Sequence, residues 1–196
     1  LILALAASPL AACEAPYGLD YKTIGQSLAV SIGIESPPGI TIEQAGQVPY
    51  SSLGYRLGDS AEQMLVLGTA SDNANLWTSA ERRALSTKAG RITKTAGFKW
   101  NLSETYWPAP DPLSEGAAAS SRSTLRLLDF GDVKRFGARL HGQFDSARES
   151  EITILGTSIP TISLSEICHC EDFDWDFQNQ FWLDRQSGFV WRSVQY

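Results

Sequence analysis

The stretch Ser123–Phe144, STLRLLDFGDVKRFGARLHGQF, sets the expectation for the fold of the whole chain. It contains two runs rich in strand-forming residues, Ser123–Phe130 and Val133–Phe144, separated only by Gly131-Asp132. Gly followed by Asp is a turn signal, and strand-like runs joined by so short a break are typical of antiparallel neighbours. The stretch therefore predicts two adjacent antiparallel strands.

Runs of the same kind continue on both sides, and no helical segments of ten to fifteen residues alternate with them. The sequence predicts an all-β protein, an antiparallel meander forming a barrel-like or sandwich body. One short N-terminal helix is expected over Tyr21–Val30, because Tyr21, Ile24 and Leu28 have helical spacing. The other predicted strands are Val48–Leu57, Gln63–Gly68, Leu76–Thr78, Arg91–Thr95, Phe98–Leu102, Glu151–Leu155, Thr161–Ile167, Phe181–Asp184 and Phe189–Val194.

Composition supports a packed globular body and excludes two functional classes. Of the 196 residues, 43% are hydrophobic and 19% charged, which suits a single β-rich domain over residues 14–196. The net charge of −6 gives no reason to seek nucleic-acid phosphates. The longest apolar run, Leu1–Ala12, is too short for a membrane-spanning helix.

The first thirteen residues, LILALAASPLAAC, resemble the end of a secretory signal peptide. An initiating Met and a basic region are missing, so residues 1–13 are interpreted as a partial signal peptide that ends at Cys13. Leu10-Ala11-Ala12-Cys13 looks like a bacterial lipobox, which predicts lipidation of Cys13 and membrane anchoring through acyl chains. Glu14, where an inner-membrane retention signal would have Asp, favours the outer membrane. The alternative is a core helix with a buried cysteine, which Ser8-Pro9 would interrupt.

Lipidation of Cys13 would also explain the odd number of cysteines, since the chain has three. The other two lie in Cys168-His169-Cys170, where both thiols point to one side if the segment is extended. They are interpreted as incidental thiols, a local disulfide or a metal-binding pair. Zinc would need further ligands, and the other histidine is the distant His141, so no metal site and no cofactor is expected.

The densest acidic cluster, Asp172, Asp174 and Asp176, alternates with aromatic residues, which predicts carboxylates on one strand face and rings on the other. The EF-hand pattern fails because Phe177 and Leu183 occupy the positions of its glycine and glutamate. A carboxylate-based glycoside hydrolase is an alternative that sequence cannot test, because it depends on the distance between two carboxyl groups. No catalytic triad and no glycine-rich nucleotide loop is present, so the protein is expected not to be an enzyme.

The six tryptophans and a basic stretch between Glu81 and Lys99 suggest a second function, glycan binding. Aromatic faces stack on sugar rings, and basic side chains can hold anionic glycans. Core packing is the alternative role for the tryptophans. The candidate glycan contacts are Trp77, Trp100, Arg82, Arg91 and Lys94.

Several motifs occur in order along the chain: the lipobox at Cys13, Pro49–Leu53, Leu76–Arg82, Gly90–Gly97, Asp111-Pro112-Leu113, Ile154-Leu155-Gly156, Phe181–Asp184 and Val190–Gln195. This ordered set resembles the YjbF/GfcB-type family, the group 4 capsule polysaccharide lipoproteins. The Cys168/Cys170 pair and the acidic run after it fall outside the pattern.

The resemblance implies a bacterial outer-membrane lipoprotein on the periplasmic side that takes part in the production and secretion of capsule polysaccharide or exopolysaccharide. Its implied partners are the membrane, through the lipid anchor, and envelope polysaccharide-export proteins of the same gene cluster. It also implies a mostly antiparallel, barrel-like fold. The family pattern carries no established catalytic residue to transfer.

Overall fold

The computed structural model describes residues 39–71 and 74–196, which form two antiparallel sheets. The predicted helix Tyr21–Val30 and the predicted lipidation site Cys13 lie outside the described residues. The described part opens with a short helix, α1, over Ile42–Gly46. Thr41 and Gln44 form a capping box at its start, in which each side chain accepts a hydrogen bond from the other residue's backbone N–H.

The first sheet, which we call the N-terminal sheet, is a simple meander in which each strand pairs with the next. Its strand order is therefore the chain order. The strands are β1 Ser52–Tyr55, β2 Gln63–Ala70, β3 Asn75–Thr78, β4 Ala84–Lys88 and β5 Arg91–Ala96.

The second sheet, the C-terminal sheet, has the order β12-β11-β10-β8-β7-β6, with β9 paired to β10. The long β10 pairs with β9 along Thr157–Ser163 and with β8 along Glu166–Cys170, so β8 and β9 act as one interrupted strand. The sheet is thus also a meander. Its strands are β6 Glu104–Tyr106, β7 Ser123–Phe130, β8 Arg135–Phe144, β9 Arg148–Ile154, β10 Thr157–Cys170, β11 Trp175–Asp184 and β12 Val190–Val194.

Two hairpins of the C-terminal sheet turn in the same way. A 3-10 turn over Gly131–Val133 followed by left-handed Lys134 joins β7 to β8. A 3-10 turn over Glu171–Phe173 followed by left-handed Asp174 joins β10 to β11. The hairpin predicted over Ser123–Phe144 is confirmed.

The acidic run Asp172–Asp176 is not a single strand. The expected alternation of Asp172, Asp174 and Asp176 along one strand is wrong, because the first two belong to the turn between β10 and β11 and only Asp176 lies in a strand.

The two sheets meet along β5. On one side, Thr95 N donates to Leu102 O at 2.7 Å, and Thr105 Oγ1 of β6 donates to Thr93 O at 2.9 Å. On the other side, Gln195, just beyond β12, hydrogen-bonds the backbone at the start of β5. Since β6 and β12 are the two ends of the C-terminal sheet, β5 contacts both of its ends. The predicted all-β antiparallel meander with a barrel-like body is confirmed.

The strand predictions in this region miss β4 and β6 and place one strand where the structure has a loop. β4 was not predicted, because its residues fall in the basic stretch. Phe98–Leu102 was predicted to be a strand and is a loop, because the Asn101 side chain hydrogen-bonds back to both the N–H and the C=O of Phe98.

The interior of the C-terminal sheet contains two apolar clusters. One holds Leu113, Ala119, Phe144, Leu164, Phe181 and Leu183, and the other holds Leu128, Ala138, Leu140, Cys168 and Cys170. Between them, at inward positions of β7, β10 and β11, lie three buried polar residues, Arg126, Glu166 and Asn179. The core is thus divided by a polar layer. None of the helices described here has the length and apolarity needed to cross a membrane.

Candidate functional site

Arg91, the first residue of β5, points into the polar layer and is its centre. Its Nη1 donates to Glu166 Oε2 at 2.8 Å and its Nη2 donates to Glu166 Oε1 at 3.1 Å, a two-pronged ion pair. Its Nε donates to Asp111 Oδ2 in the loop before a 3-10 helix. The side chains of Arg91 and Glu166 are 1% and 0% exposed, so this ion pair between the two sheets is buried from bulk solvent.

Residues on both sides of Arg91 hold it in place. Gly90 has φ of +81°, and a Cβ there would lie 2.3 Å from Val190 Cβ of β12, so only glycine lets the turn approach this strand. The Gln195 side chain accepts from Ile92 N at 3.0 Å and donates to Gly90 O at 2.9 Å. The motifs Gly90–Gly97 and Val190–Gln195 thus meet, and they close the two sheets around the arginine.

A second arginine and an amide complete the layer, which we call the ionic layer: Arg91, Asp111, Arg126, Glu166 and Asn179. Arg126 Nη2 lies 3.2 Å from Glu166 Oε1, and Asn179 Nδ2 donates to Glu166 Oε2 at 2.9 Å. Two guanidinium groups and two carboxylates give no net charge. Gly142 of β8 makes room for the Glu166 carboxylate, because a Cβ at this position would lie 2.5 Å from Glu166 Oε1.

The electrostatics of the ionic layer favour the charged state of the central pair. Burial opposes ionisation of Glu166, but Arg91 and Arg126 outweigh it and leave the pKa of this carboxyl below its ordinary value. Burial likewise opposes the charge of Arg91, and Glu166 and Asp111 outweigh it, so its pKa is raised. Burial and repulsion by Arg91 lower the pKa of Arg126.

The thiol of Cys168 lies buried beside the ionic layer. Burial, with the Glu166 charge as the next cause, raises the pKa of Cys168 to about 12. Because the thiolate is the nucleophilic form, this cysteine is unsuited to covalent catalysis. Cys168 and Cys170 are both buried and free. Of the three interpretations offered for this pair, the local disulfide is therefore not present in the structure.

The structure separates the predicted glycan contacts. The prediction that Arg91 is a surface glycan contact is wrong, because its side chain is buried in the ionic layer. Trp77 faces the side of the N-terminal sheet opposite to Lys94, since it pairs in register with Leu85 while Lys94 pairs with Ser86. Arg82 lies in the exposed turn after β3, and Trp100 is exposed in the loop after β5 beside Lys99. These residues do not form one surface.

Lys94 does line a groove of about 610 Å³ between the two sheets. Leu76 and Ser86 lie on the same side of the groove, and Glu104 and Trp107 lie across it. Lys94 Nζ pairs with Glu104 Oε2 at 2.5 Å, with half of the lysine side chain exposed. Trp107 Nε1 is buried and has no hydrogen-bond partner within the described ranges. An aromatic ring, hydroxyls and an ion pair are the groups that a bound sugar uses.

The acidic cluster divides into separate contacts. Asp172 Oδ2 accepts from Arg139 N at 2.8 Å, and Asp176 Oδ1 lies 2.9 Å from His169 Nδ1. Asp174 is the exposed left-handed residue of the turn. In residues 39–71 and 74–196, no group of three or more His, Cys, Asp or Glu side chains is placed to hold a metal ion.

Sequence reasoning missed the partners of Arg91. Glu166 lies 75 positions further along the chain. The available signal was its inward position in the strand-like run Leu164–Cys168, where a carboxylate interrupts an otherwise apolar face. Only the pairing of strands shows which arginine neutralises it.

This arrangement of two curled antiparallel sheets is similar to the fold of a solved bacterial lipoprotein. The crystal structure of the hypothetical lipoprotein YmcC from Escherichia coli superposes with a TM-score of 0.72 at 25% identity, covering 86% of each chain. The family described as "Group 4 capsule polysaccharide lipoprotein gfcB, YjbF" matches residues 22–196, and the chain belongs to this family. The resemblance seen in the motifs is thereby confirmed.

Two relatives of the chain are uncharacterized lipoproteins of Escherichia coli. GfcB is 28% identical over 197 residues, which covers 100% of this chain and 90% of GfcB. YjbF is 27% identical over 191 residues, which covers 95% of this chain and 86% of YjbF.

Proposed function

We propose that the protein is an outer-membrane lipoprotein, anchored through Cys13 on the periplasmic side, that supports production and secretion of capsule polysaccharide or exopolysaccharide without catalysing a reaction. The observation that carries the proposal is membership of the capsule polysaccharide lipoprotein family over residues 22–196. Its partners are envelope proteins of the polysaccharide export system.

The ionic layer supports a structural role for the body. Its carboxylates and guanidinium groups neutralise each other across the two sheets, and the adjacent thiol of Cys168 is held protonated. Groups committed in this way stabilise a rigid shape. A rigid body on a lipid anchor can hold partner proteins beside the membrane.

The anchor is tested by Cys13→Ser in the full chain, expressed in the native host. Without the thiol no acyl chain is attached, so we expect unprocessed or soluble protein and less secreted polysaccharide. Normal membrane fractionation of this variant would refute the proposal.

The residue after the cysteine tests the membrane. We expect Glu14→Asp to redirect the protein to the inner membrane, with less polysaccharide secreted, while the matched variant Glu14→Gln stays in the outer membrane. Unchanged polysaccharide secretion from inner-membrane protein would contradict a role at the outer membrane.

A second candidate function is glycan binding in the groove lined by Lys94 and Trp107. Lys94→Glu introduces a negative charge facing Glu104 and breaks their ion pair, so it should weaken binding of the host's own polysaccharide at least tenfold. Lys99→Glu, on the loop outside the groove, is the matched control and should bind normally. Flat binding isotherms for the unmodified protein would remove this candidate.

A further inference from the structure

The two histidines of the chain lie directly opposite each other on the outer face of the C-terminal sheet. His141 of β8 and His169 of β10 are register partners. Directly opposed residues of an antiparallel pair have Cβ atoms about 4.5–5.5 Å apart. Both side chains are accessible, with 50% and 46% of their surface exposed.

Each imidazole is held by a carboxylate through one of its two ring nitrogens. His141 Nε2 lies 2.8 Å from Glu171 Oε1, and His169 Nδ1 lies 2.9 Å from Asp176 Oδ1. The second nitrogens, His141 Nδ1 and His169 Nε2, are those that could bind an ion. A histidine that binds a metal typically donates its other ring N–H to a carboxylate, which fixes its tautomer and orientation. Both histidines have this arrangement already.

The local charge favours a cation. The segment from Glu171 to Asp176 has four carboxylates. One cation lies among them, because Arg139 Nη2 is 2.7 Å from Glu171 Oε2. The acidic excess next to the histidines would raise the local concentration of cations. Two residues of this acidic run, Glu171 and Asp176, contact the pair.

We propose that His141 and His169 together bind one divalent transition-metal ion, with Glu171 and Asp176 as positioning residues and water as the remaining ligands. Imidazole suits Zn²⁺, Cu²⁺ and Ni²⁺, and Cu²⁺ binds nitrogen sites most tightly of these. Two protein ligands on an exposed sheet make an open, exchangeable site that ties β8 to β10. This inference is independent of the proposed function.

The test uses the full chain with Zn²⁺ in isothermal titration and Cu²⁺ in electron paramagnetic resonance. We expect one ion per chain and a spectrum with two coordinated nitrogens. His141→Gln and His169→Gln should each lower the affinity at least tenfold and leave one coordinated nitrogen. The matched control is Gln178→Ala, an exposed position of β11, which should bind as the unmodified protein does.

A third variant keeps the test decisive if either histidine variant is misfolded. Glu171→Gln keeps both imidazoles and removes the charge that orients His141, so it should weaken Zn²⁺ binding about tenfold, within the range known for such outer partners. No Zn²⁺ or Cu²⁺ binding by the unmodified protein would overturn the proposal. Equal affinity in the folded histidine variants would overturn it as well.

Discussion

Replacement of Arg91 by methionine should destabilise the protein strongly. The side chain of methionine fills a similar space but leaves Glu166 buried with one guanidinium, that of Arg126 at 3.2 Å, and the amide of Asn179. Breaking a buried ion pair by removing one partner typically costs about 3–5 kcal/mol. Because whole domains are stable by only about 5–15 kcal/mol, this is a large share of the total.

The assay is equilibrium unfolding in urea followed by tryptophan fluorescence, with the free energy of unfolding extrapolated to water. Lys94→Met on the same strand is the matched control, because the pair of Lys94 with Glu104 is solvent-exposed and such pairs contribute about 0–1 kcal/mol. The double variant Arg91→Met/Asp111→Asn should be more stable than Arg91→Met alone, since it removes the carboxylate that has lost its guanidinium partner while Glu166 keeps Arg126. A loss for Arg91→Met no larger than for Lys94→Met would refute the reasoning.

Three further predictions concern single residues. Gly142→Ala places a methyl group 2.5 Å from Glu166 Oε1, so it should lower the free energy of unfolding by about 1–3 kcal/mol in the same urea assay. Gly68→Ala is the control, because no neighbour lies nearer than 3.6 Å to its new Cβ, and it should not show this packing loss. Cys168, with its pKa raised to about 12, should resist iodoacetamide at pH 8 in the folded protein and react once unfolded, as peptide mass spectrometry would show; rapid native labelling would contradict its burial. Backbone and side-chain hydrogen bonds from Ser187 lower the pKa of Asp184 from 3.8 to about 2. The contribution of Asp184 to stability is therefore present above about pH 4 and is lost as the pH falls towards 2. Asp184→Asn should flatten the acid side of the curve of unfolding free energy against pH, and an unchanged curve would count against the shift.

The fold was predictable because it depends on local signals. Gly131-Asp132 between two strand-like runs predicted the first hairpin, and repetition of that pattern predicted the meander. The errors lie where side chains override the pattern. The side chain of Asn101 hydrogen-bonds back to Phe98, and the 3-10 turn over Glu171–Phe173 with left-handed Asp174 interrupts what alternation alone would make one strand.

The sites were less predictable, because their partners are distant in sequence. Arg91 in a basic stretch is typical of a surface residue until β10 brings Glu166 against it. His141 and His169 become neighbours only through the register of β8 on β10. Lys94 alone of the predicted glycan contacts lines the groove. Arg91 is buried in the ionic layer, Trp77 is on the opposite face of its sheet, and Arg82 and Trp100 are outside the strands.

The closure around β5 also constrains the order in which the chain can reach its final form. Gly90 is synthesised 105 residues before Gln195, whose side chain donates a hydrogen bond to the Gly90 carbonyl. Arg91 is synthesised 75 residues before Glu166. Local hairpins can form as soon as they are synthesised, whereas contacts between such distant residues must wait. Until Glu166 is synthesised, the guanidinium of Arg91 lacks its two-pronged partner. A nascent chain halted before β10 would therefore have its two sheets incompletely joined and open to proteases and chaperones.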